Sequence, residues 1–467
     1  MARNPLAPGW LDEPTDANAI DAAVWPLGTT RTDAGVLTIG GVDVLTLRER
    51  FGTPLYVVDE TDVRTRARAV REAFERETAK HGTTAAVYYA GKAFLSTEVA
   101  RWVTAEGLRI DVCSGGELAV ALASGADAGS LGFHGNNKSI AEIDRAVQVG
   151  VGAIVIDSLV EIERVAAAAE RAGRVQAVRL RVNSGVHAHT HEFLATAHED
   201  QKFGLPLDGA AAAVEAIRSH DRLRFLGLHC HIGSQIFGAE GFAESAARLL
   251  AVHAELLAGG PVPELNLGGG FGIAYTSADT PTPIDELAAA IVDGVVAAAA
   301  AHGVPIPALA FEPGRVIVGG AGVTLYEAGT VKDVTVSLEQ GGTAVRRYVS
   351  VDGGMSDNAR PSLYGADYTV RIADRRSDAE PALVRIAGKH CEAGDIVVNA
   401  DYLPADVRAG DLLAVPATGA YCWSLASNYN YLGRPPVVAV ADGDARVIVR
   451  GETEDDLLRR DAGLDAE

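Results

Sequence analysis

The sequence predicts an α/β chain: a (β/α)8 TIM barrel followed by an antiparallel β-sandwich or β-barrel domain. Three observations carry that expectation. The chain has 467 residues, more than the roughly 250 that a single barrel absorbs. Short apolar runs alternate with helical stretches over roughly 230 residues, near the usual length of a (β/α)8 barrel. Beyond Gly320 the alternation stops, and β-rich segments separated by turn residues take over.

Taken in order, Met1 to Asn18 reads as a tail, and Gly35 to Val58, rich in Val, Leu and Thr, as strands that join the later β domain. From Thr61 to His81 a helix is charged on one side and carries Val63, Ala67, Val70 and Phe74 at helical spacing on the other. Eight candidate strands follow: Ala85 to Ala90, Leu108 to Cys113, Ser130 to His134, Ala153 to Asp157, Val178 to Asn183, Phe225 to His231, Glu264 to Leu267 and Ala308 to Glu312. Helical stretches such as Glu161 to Ala172 and Gly241 to Leu257 lie between them. The later strands are Thr324 to Val336, Arg346 to Val351, Ala382 to Ile386, Asp395 to Val398, Asp411 to Val415 and Pro436 to Val440, with a helix from Glu454 to Arg460. The expected division is therefore residues 1–58, 59–320 and 321–467.

Composition narrows the function. Hydrophobic residues at 48% and charged residues at 22% describe a chain that buries a large core, which excludes disorder for most of it. Lys+Arg 41 against Asp+Glu 62 gives a net charge of −21. That charge repels polyanions and counts against nucleic acid or an anionic membrane as partner. The N-terminus lacks the charged and apolar regions of a secretion signal, and Cys113, Cys230, Cys391 and Cys422 are too scattered for a zinc ribbon or disulfide scaffold. Small-molecule chemistry in a cytoplasm is the expectation.

Strands of a barrel end at one mouth, so polar motifs at those ends are expected to form one site. Strand one ends in Tyr89-Ala90-Gly91-Lys92, which taken alone reads first as a surface lysine after a strand, and otherwise as a lysine among apolar neighbours, where desolvation would lower the amine and favour Schiff-base chemistry. Strand six carries His229 and His231 on one face, a pair that binds metal in some barrels or covers a planar cofactor in others. Strand seven ends in Gly268-Gly269-Gly270, read as an anion-binding run before a helix, with Ser234 from the neighbouring strand as a second donor. Strand eight ends in Glu312-Pro313-Gly314-Arg315. Lysine, imidazole, glycine cradle and carboxylate together meet the needs of pyridoxal phosphate.

At this point the chain resembles the fold type III pyridoxal-phosphate decarboxylases, in the branch that acts on diaminopimelate. The resemblance rests on Tyr89-Ala-Gly-Lys92-Ala, Asp111-Val-Cys-Ser114-Gly-Gly-Glu117, His134-Gly-Asn-Asn-Lys138, His229-Cys-His231-Ile-Gly-Ser234, Gly268-Gly-Gly270-Phe, Glu312-Pro-Gly-Arg315, Cys391-Glu392 and Thr418-Gly-Ala-Tyr421. It implies that Lys92 links to pyridoxal 5′-phosphate, that His231 stacks on the cofactor and that Glu312 partners the pyridine nitrogen. By the same resemblance Ser234, Gly268, Gly269, Gly270, Gly314 and Arg315 lie on the phosphate side. Cys391 is implied as proton donor, Arg315, Arg360, Tyr364 and Glu392 as holders of the substrate's distal end, and Tyr421 as touching cofactor and substrate.

The implied reaction is decarboxylation of meso-2,6-diaminopimelate at its D-centre to L-lysine, the last step of lysine biosynthesis, in a homodimer with shared sites. The alternatives are an ornithine- or arginine-type decarboxylase of the same fold and, from another class, a metal-dependent barrel hydrolase using His229 and His231. Asn266 departs from an aspartate common in the family, a change expected to matter little. The loop from Gly185 to Gly204 carries His187, His189, His191 and His198, which in isolation would suggest zinc; an active-site lid with no metal is the expectation.

Overall fold

The computed structural model describes residues 4–186, 202–339 and 341–465. The chain divides into two compact units. One comprises residues 64–272 and 281–317, the other residues 1–63, 273–280 and 318–467.

The first unit is a closed parallel barrel. Its strands are Ala85–Ala90, Arg109–Val112, Leu131–Phe133, Ala153–Ile156, Gln176–Asn183, Leu223–His229, Glu264–Asn266 and Ala308–Phe311. Each pairs in parallel with the next, and the eighth closes on the first through Ala310↔Ala86. All eight lie where the apolar runs placed them, because a strand covered on both faces must be apolar at nearly every position. Helices return the chain between strands. Ser96, Ser114 and Ser139 each accept a hydrogen bond from a first-turn N–H of the helix they begin, so three helix starts are fixed by local sequence. In the helix Glu60–Ala79 the side chains of Ala67, Val70 and Phe74 are buried, and Phe74 stacks on Phe311 of strand eight at 3.7 Å between ring centroids.

The second unit is built on a nine-stranded sheet around the strand Gly322–Ser337. That strand's first part, Gly322 to Glu327, pairs antiparallel with both Leu55–Asp59 and Leu412–Pro416, and its later part, from Ala328 on, pairs antiparallel with Thr343–Val351. Of the segment Gly35 to Val58, expected to supply strands here, only Leu55–Asp59 pairs with this sheet; Leu37–Ile39 and Val42–Asp43 lie in a separate three-stranded sheet, and Val44–Phe51 is a helix begun by the Asp43 cap. The sheet is mostly antiparallel, with two parallel pairings, Thr343–Val351 with Pro381–Ala387 and Val437–Ala441 with Leu55–Asp59. Among the described residues no helix is long and apolar enough to cross a membrane.

Candidate functional site

In the barrel unit the site grows from the strand ends. Strand one runs into the turn Gly91–Ala93, which holds Lys92. Ala93 and Phe94 pack inward, and Lys92 itself is exposed.

Glu312 follows strand eight and is 9% exposed. Its carboxylate accepts from His229 Nε2 at 3.1 Å and from Asn266 Nδ2 at 2.7 Å. His229 closes strand six and Asn266 closes strand seven, so three adjacent strand ends converge on one carboxylate. Asn266 also accepts the Gly268 N–H through Oδ1 at 2.8 Å. An ionised aspartate could do only the second of these jobs, since it has no N–H for Glu312. The departure at Asn266 thus bears directly on the carboxylate. His134, past strand three, places Nε2 3.5 Å from Glu312 and 3.1 Å from Asp111, without hydrogen-bond geometry to either.

Burial opposes charge throughout this cluster, and the outcome differs by residue. It lowers the His229 imidazole to about 4. His229 is therefore a neutral donor to Glu312. Burial also works against the Glu312 anion, but the His229 and His134 rings and the His229 hydrogen bond hold its carboxyl well below the usual range. Asp111 goes the other way: burial raises its carboxyl, and neither oxygen has a hydrogen-bond partner among the described residues. Two buried carboxyls with proton affinities pushed apart mark a chemical site.

The glycine run is shaped by close approach. Gly268 and Gly270 hold φ of +68° and +109°, and a Cβ on Gly269 would stand 2.0 Å from the Glu312 carbonyl oxygen. The run does not open a helix, because the next one is Ile284–His302. The Gly268 N–H goes to Asn266, and the Gly269 N–H goes to His231 Nδ1 at 3.2 Å. Gly270 is the glycine of the three whose N–H bonds to nothing among the described residues. His231, half-buried, is pushed well below its ordinary range by burial, so its ring is neutral with the proton on Nε2. It leaves strand six toward the glycines while His229 turns to Glu312, so the two do not act as one metal-binding pair. Among the described residues the one cluster of three potential metal ligands is His134, His229 and Glu312.

Ser234 Oγ accepts from Arg315 Nη2 at 2.9 Å. Gly314 approaches Ala90, which precedes the Lys92 turn, and Ala93, which ends it. A cleared glycine loop, a hydroxyl and a guanidinium are the donor set of a phosphate, and a buried anionic carboxylate is what a protonated ring nitrogen requires. The residues present fit pyridoxal phosphate.

The β unit carries the other anticipated residues. Arg360 begins the short helix Arg360–Tyr364 and is 4% exposed. Its guanidinium lies over the Tyr275 ring at 4.5 Å and donates to the Tyr368 hydroxyl at 2.5 Å, and no carboxylate of the described residues pairs with it. Tyr364 is exposed. Cys391 and Glu392 are exposed on a turn organised by buried Asp395, which accepts from the backbone N–H of Met355 and of His390 and from His390 Nδ1. Cys391 N–H bonds to Asn430 Oδ1 at 3.1 Å, and Glu392 accepts from the Tyr429 hydroxyl at 3.4 Å. Tyr421 holds a left-handed φ of 64°. Tyr275, Tyr368 and Asp395 were not singled out in the sequence; they are ordinary residue types whose role depends on contacts across the fold. His187, His189, His191 and His198 lie outside the described residues.

The model of the pyridoxal-dependent decarboxylase family, in its pyridoxal-binding domain, matches residues 60–319. A diaminopimelate decarboxylase of Mycobacterium tuberculosis is 53% identical over 443 residues, covering 93% of this chain and 97% of the relative. One from Bacillus subtilis is 43% identical over 439 residues, covering 93% and 97%. Among solved structures, diaminopimelate decarboxylase from M. jannaschii in complex with L-lysine aligns with a TM-score of 0.85 at 32% identity, covering 93% of this chain and 97% of that one.

Proposed function

Because the chain belongs to the pyridoxal-dependent decarboxylases, we propose how its own residues divide the work of one member reaction. The enzyme is a carboxy-lyase that converts meso-2,6-diaminopimelate to L-lysine and carbon dioxide, the last step of lysine biosynthesis. The observation that carries the reading is Glu312, a buried carboxylate kept ionised by its imidazole neighbours in the barrel.

Pyridoxal 5′-phosphate, when bound, supplies a conjugated cationic ring that takes up the electron pair left by departing carbon dioxide. Glu312 holds a proton on the ring nitrogen, and His229 and Asn266 keep the carboxylate aimed and charged. Lys92 would hold the cofactor at its aldehyde carbon, a place the substrate amine would take in turn. Neutral His231 covers one ring face without adding charge. Ser234, Gly268, Gly269, Gly270, Gly314 and Arg315 form the phosphate side, where Gly270 offers the N–H and Gly268 and Gly269 chiefly make room. Cys391 delivers a proton to the reacting carbon.

Arg360 and Arg315 take the distal carboxylate, Glu392 pairs with the distal ammonium, and Tyr364 and Tyr421 line the same end. A buried guanidinium without a carboxylate is costly unless an anion arrives, which favours a substrate with a second carboxylate over ornithine. Cys391 and Glu392 act on the barrel of the partner subunit in a cytoplasmic homodimer, where they close the mouth against water.

Two measurements test this. Incubation with meso-diaminopimelate should yield L-lysine and carbon dioxide. Borohydride reduction of the loaded protein, followed by peptide mapping, should find the pyridoxyl group on Lys92. Label on Lys138 or Lys202 instead would overturn the Lys92 assignment.

A further inference from the structure

Arg360 is gripped in an unusual way for a buried cation. Among the described residues only Nη1 is engaged by a hydrogen bond, to the Tyr368 hydroxyl. The guanidinium carbon lies 4.5 Å from the Tyr275 ring centre and 5.6 Å from that of Tyr368. The two tyrosines meet edge to face at 5.2 Å, so the cation sits in an aromatic corner. The corner is itself anchored. Tyr368 is 1% exposed, and its oxygen lies 3.6 Å from the sulfur of buried Cys422. The Cys422 thiol bonds to Asn358 Oδ1 at 3.5 Å, and Asn358 Oδ1 accepts the Arg360 backbone N–H at 3.4 Å. The path from Arg360 through Tyr368, Cys422 and Asn358 thus returns to Arg360. Burial keeps the Tyr368 phenol neutral, since it pushes the hydroxyl well above its ordinary value. A neutral oxygen accepts one edge of the guanidinium without neutralising it.

We propose that Tyr368 is a positioning residue that fixes the Arg360 guanidinium by its Nη1 edge and so presents the remaining N–H groups to the substrate's distal carboxylate. The proposal rests on the assignment of Arg360 to that carboxylate. A carboxylate forked by a guanidinium needs two parallel N–H groups in one plane, and an arginine free to rotate loses that geometry. An acidic residue in place of Tyr368 would fill the cation's need and compete with the substrate. Phenol and ring hold it in place and leave its charge for the ligand.

Tyr368→Phe keeps the ring and removes the hydroxyl. On the pyridoxal-phosphate-loaded enzyme, calorimetry should show L-lysine, which retains the distal carboxylate, binding about tenfold more weakly. Binding of 1,5-diaminopentane, which lacks it, should be unchanged. KM for meso-diaminopimelate should rise with kcat nearly constant. An equal loss for both ligands, or no loss for L-lysine, overturns the proposal, because a merely structural role would move both together. Arg360→Ala separates the premise from the inference. If it too treats the two ligands alike, the carboxylate does not sit at Arg360; if it discriminates and Tyr368→Phe does not, only the positioning role fails. Should Tyr368→Phe not fold, Cys422→Ala removes the thiol that orients the same hydroxyl, with the same outcomes deciding.

Discussion

His229 and Asp357 are both buried, 1% exposed each, and they titrate in opposite senses. Burial depresses His229 from 6.5 to about 4. Between those values the unfolded chain binds a proton that the native chain refuses, so this residue makes stability fall as pH drops from 6.5 to 4. Asp357, which accepts from the Tyr326 hydroxyl and the Gly354 N–H, is raised by burial from 3.8 to about 7. Here the native chain takes the proton first, so stability falls as pH rises from about 4 to 7. Each effect is bounded by a few kcal/mol, roughly 3 to 4. Melting curves between pH 4 and 7.5 check both: His229→Gln should flatten the acid-side loss, and Asp357→Asn the loss toward neutrality. A slope unchanged in either variant contradicts its assignment. A further residue-scale test is Asn266→Asp, which sets a second carboxylate where an amide now donates to Glu312 at 2.7 Å. Like charges at that range raise one proton affinity of the pair. The acidic limb of the kcat/KM profile should move to higher pH, and an unmoved limb would show that Asn266 does not govern Glu312.

At the scale of elements, the crowding at Gly269 gives the sharpest expectation. Alanine there sets a methyl group 2.0 Å from a backbone oxygen of Glu312, so the end of strand seven or strand eight must shift. Gly269→Ala should weaken pyridoxal phosphate binding by more than about tenfold, read by fluorescence titration, with the circular dichroism of the barrel retained. The same elements show what the sequence makes legible. All eight barrel strands could be placed because burial on both faces writes an apolar run into each one, and Leu55–Asp59 could be tied to the distant β segments by its Val and Leu content. The parallel pairing of Leu55–Asp59 with Val437–Ala441 could not, because strand direction depends on the path of the intervening chain rather than on the strands' own residues. The glycine run looked like a helix start, yet its glycines answer to the carbonyls of Cys230, Glu312 and Gly233. Those are contacts between strand ends, invisible at the level of spacing. Lys92, His231, Glu312 and Arg315 announce themselves by residue type and motif. Tyr368 and Asn266 do not, for their parts are set by what the fold brings beside them.

At the scale of the whole molecule, Lys92 belongs to the barrel unit and Cys391 to the β unit, and the proposed dimer assigns them to one reaction centre by pairing two chains. In an isologous dimer the same contact occurs twice, so both sites are composite. Consider Lys92→Ala mixed with Cys391→Ala, each expected to be nearly inactive alone. A mixed dimer gathers both lesions into one site and leaves the other with an intact lysine and an intact thiol. After subunit exchange at equal amounts, about half the dimers are mixed and each has one good site of two, so roughly a quarter of wild-type activity should return. Native mass spectrometry establishes that exchange has occurred, and the lysine assay reads the recovery. If exchange is complete and activity stays at the mutants' own level, the two residues serve one site within a single chain. The barrel of each subunit would then have to be closed by its own β unit.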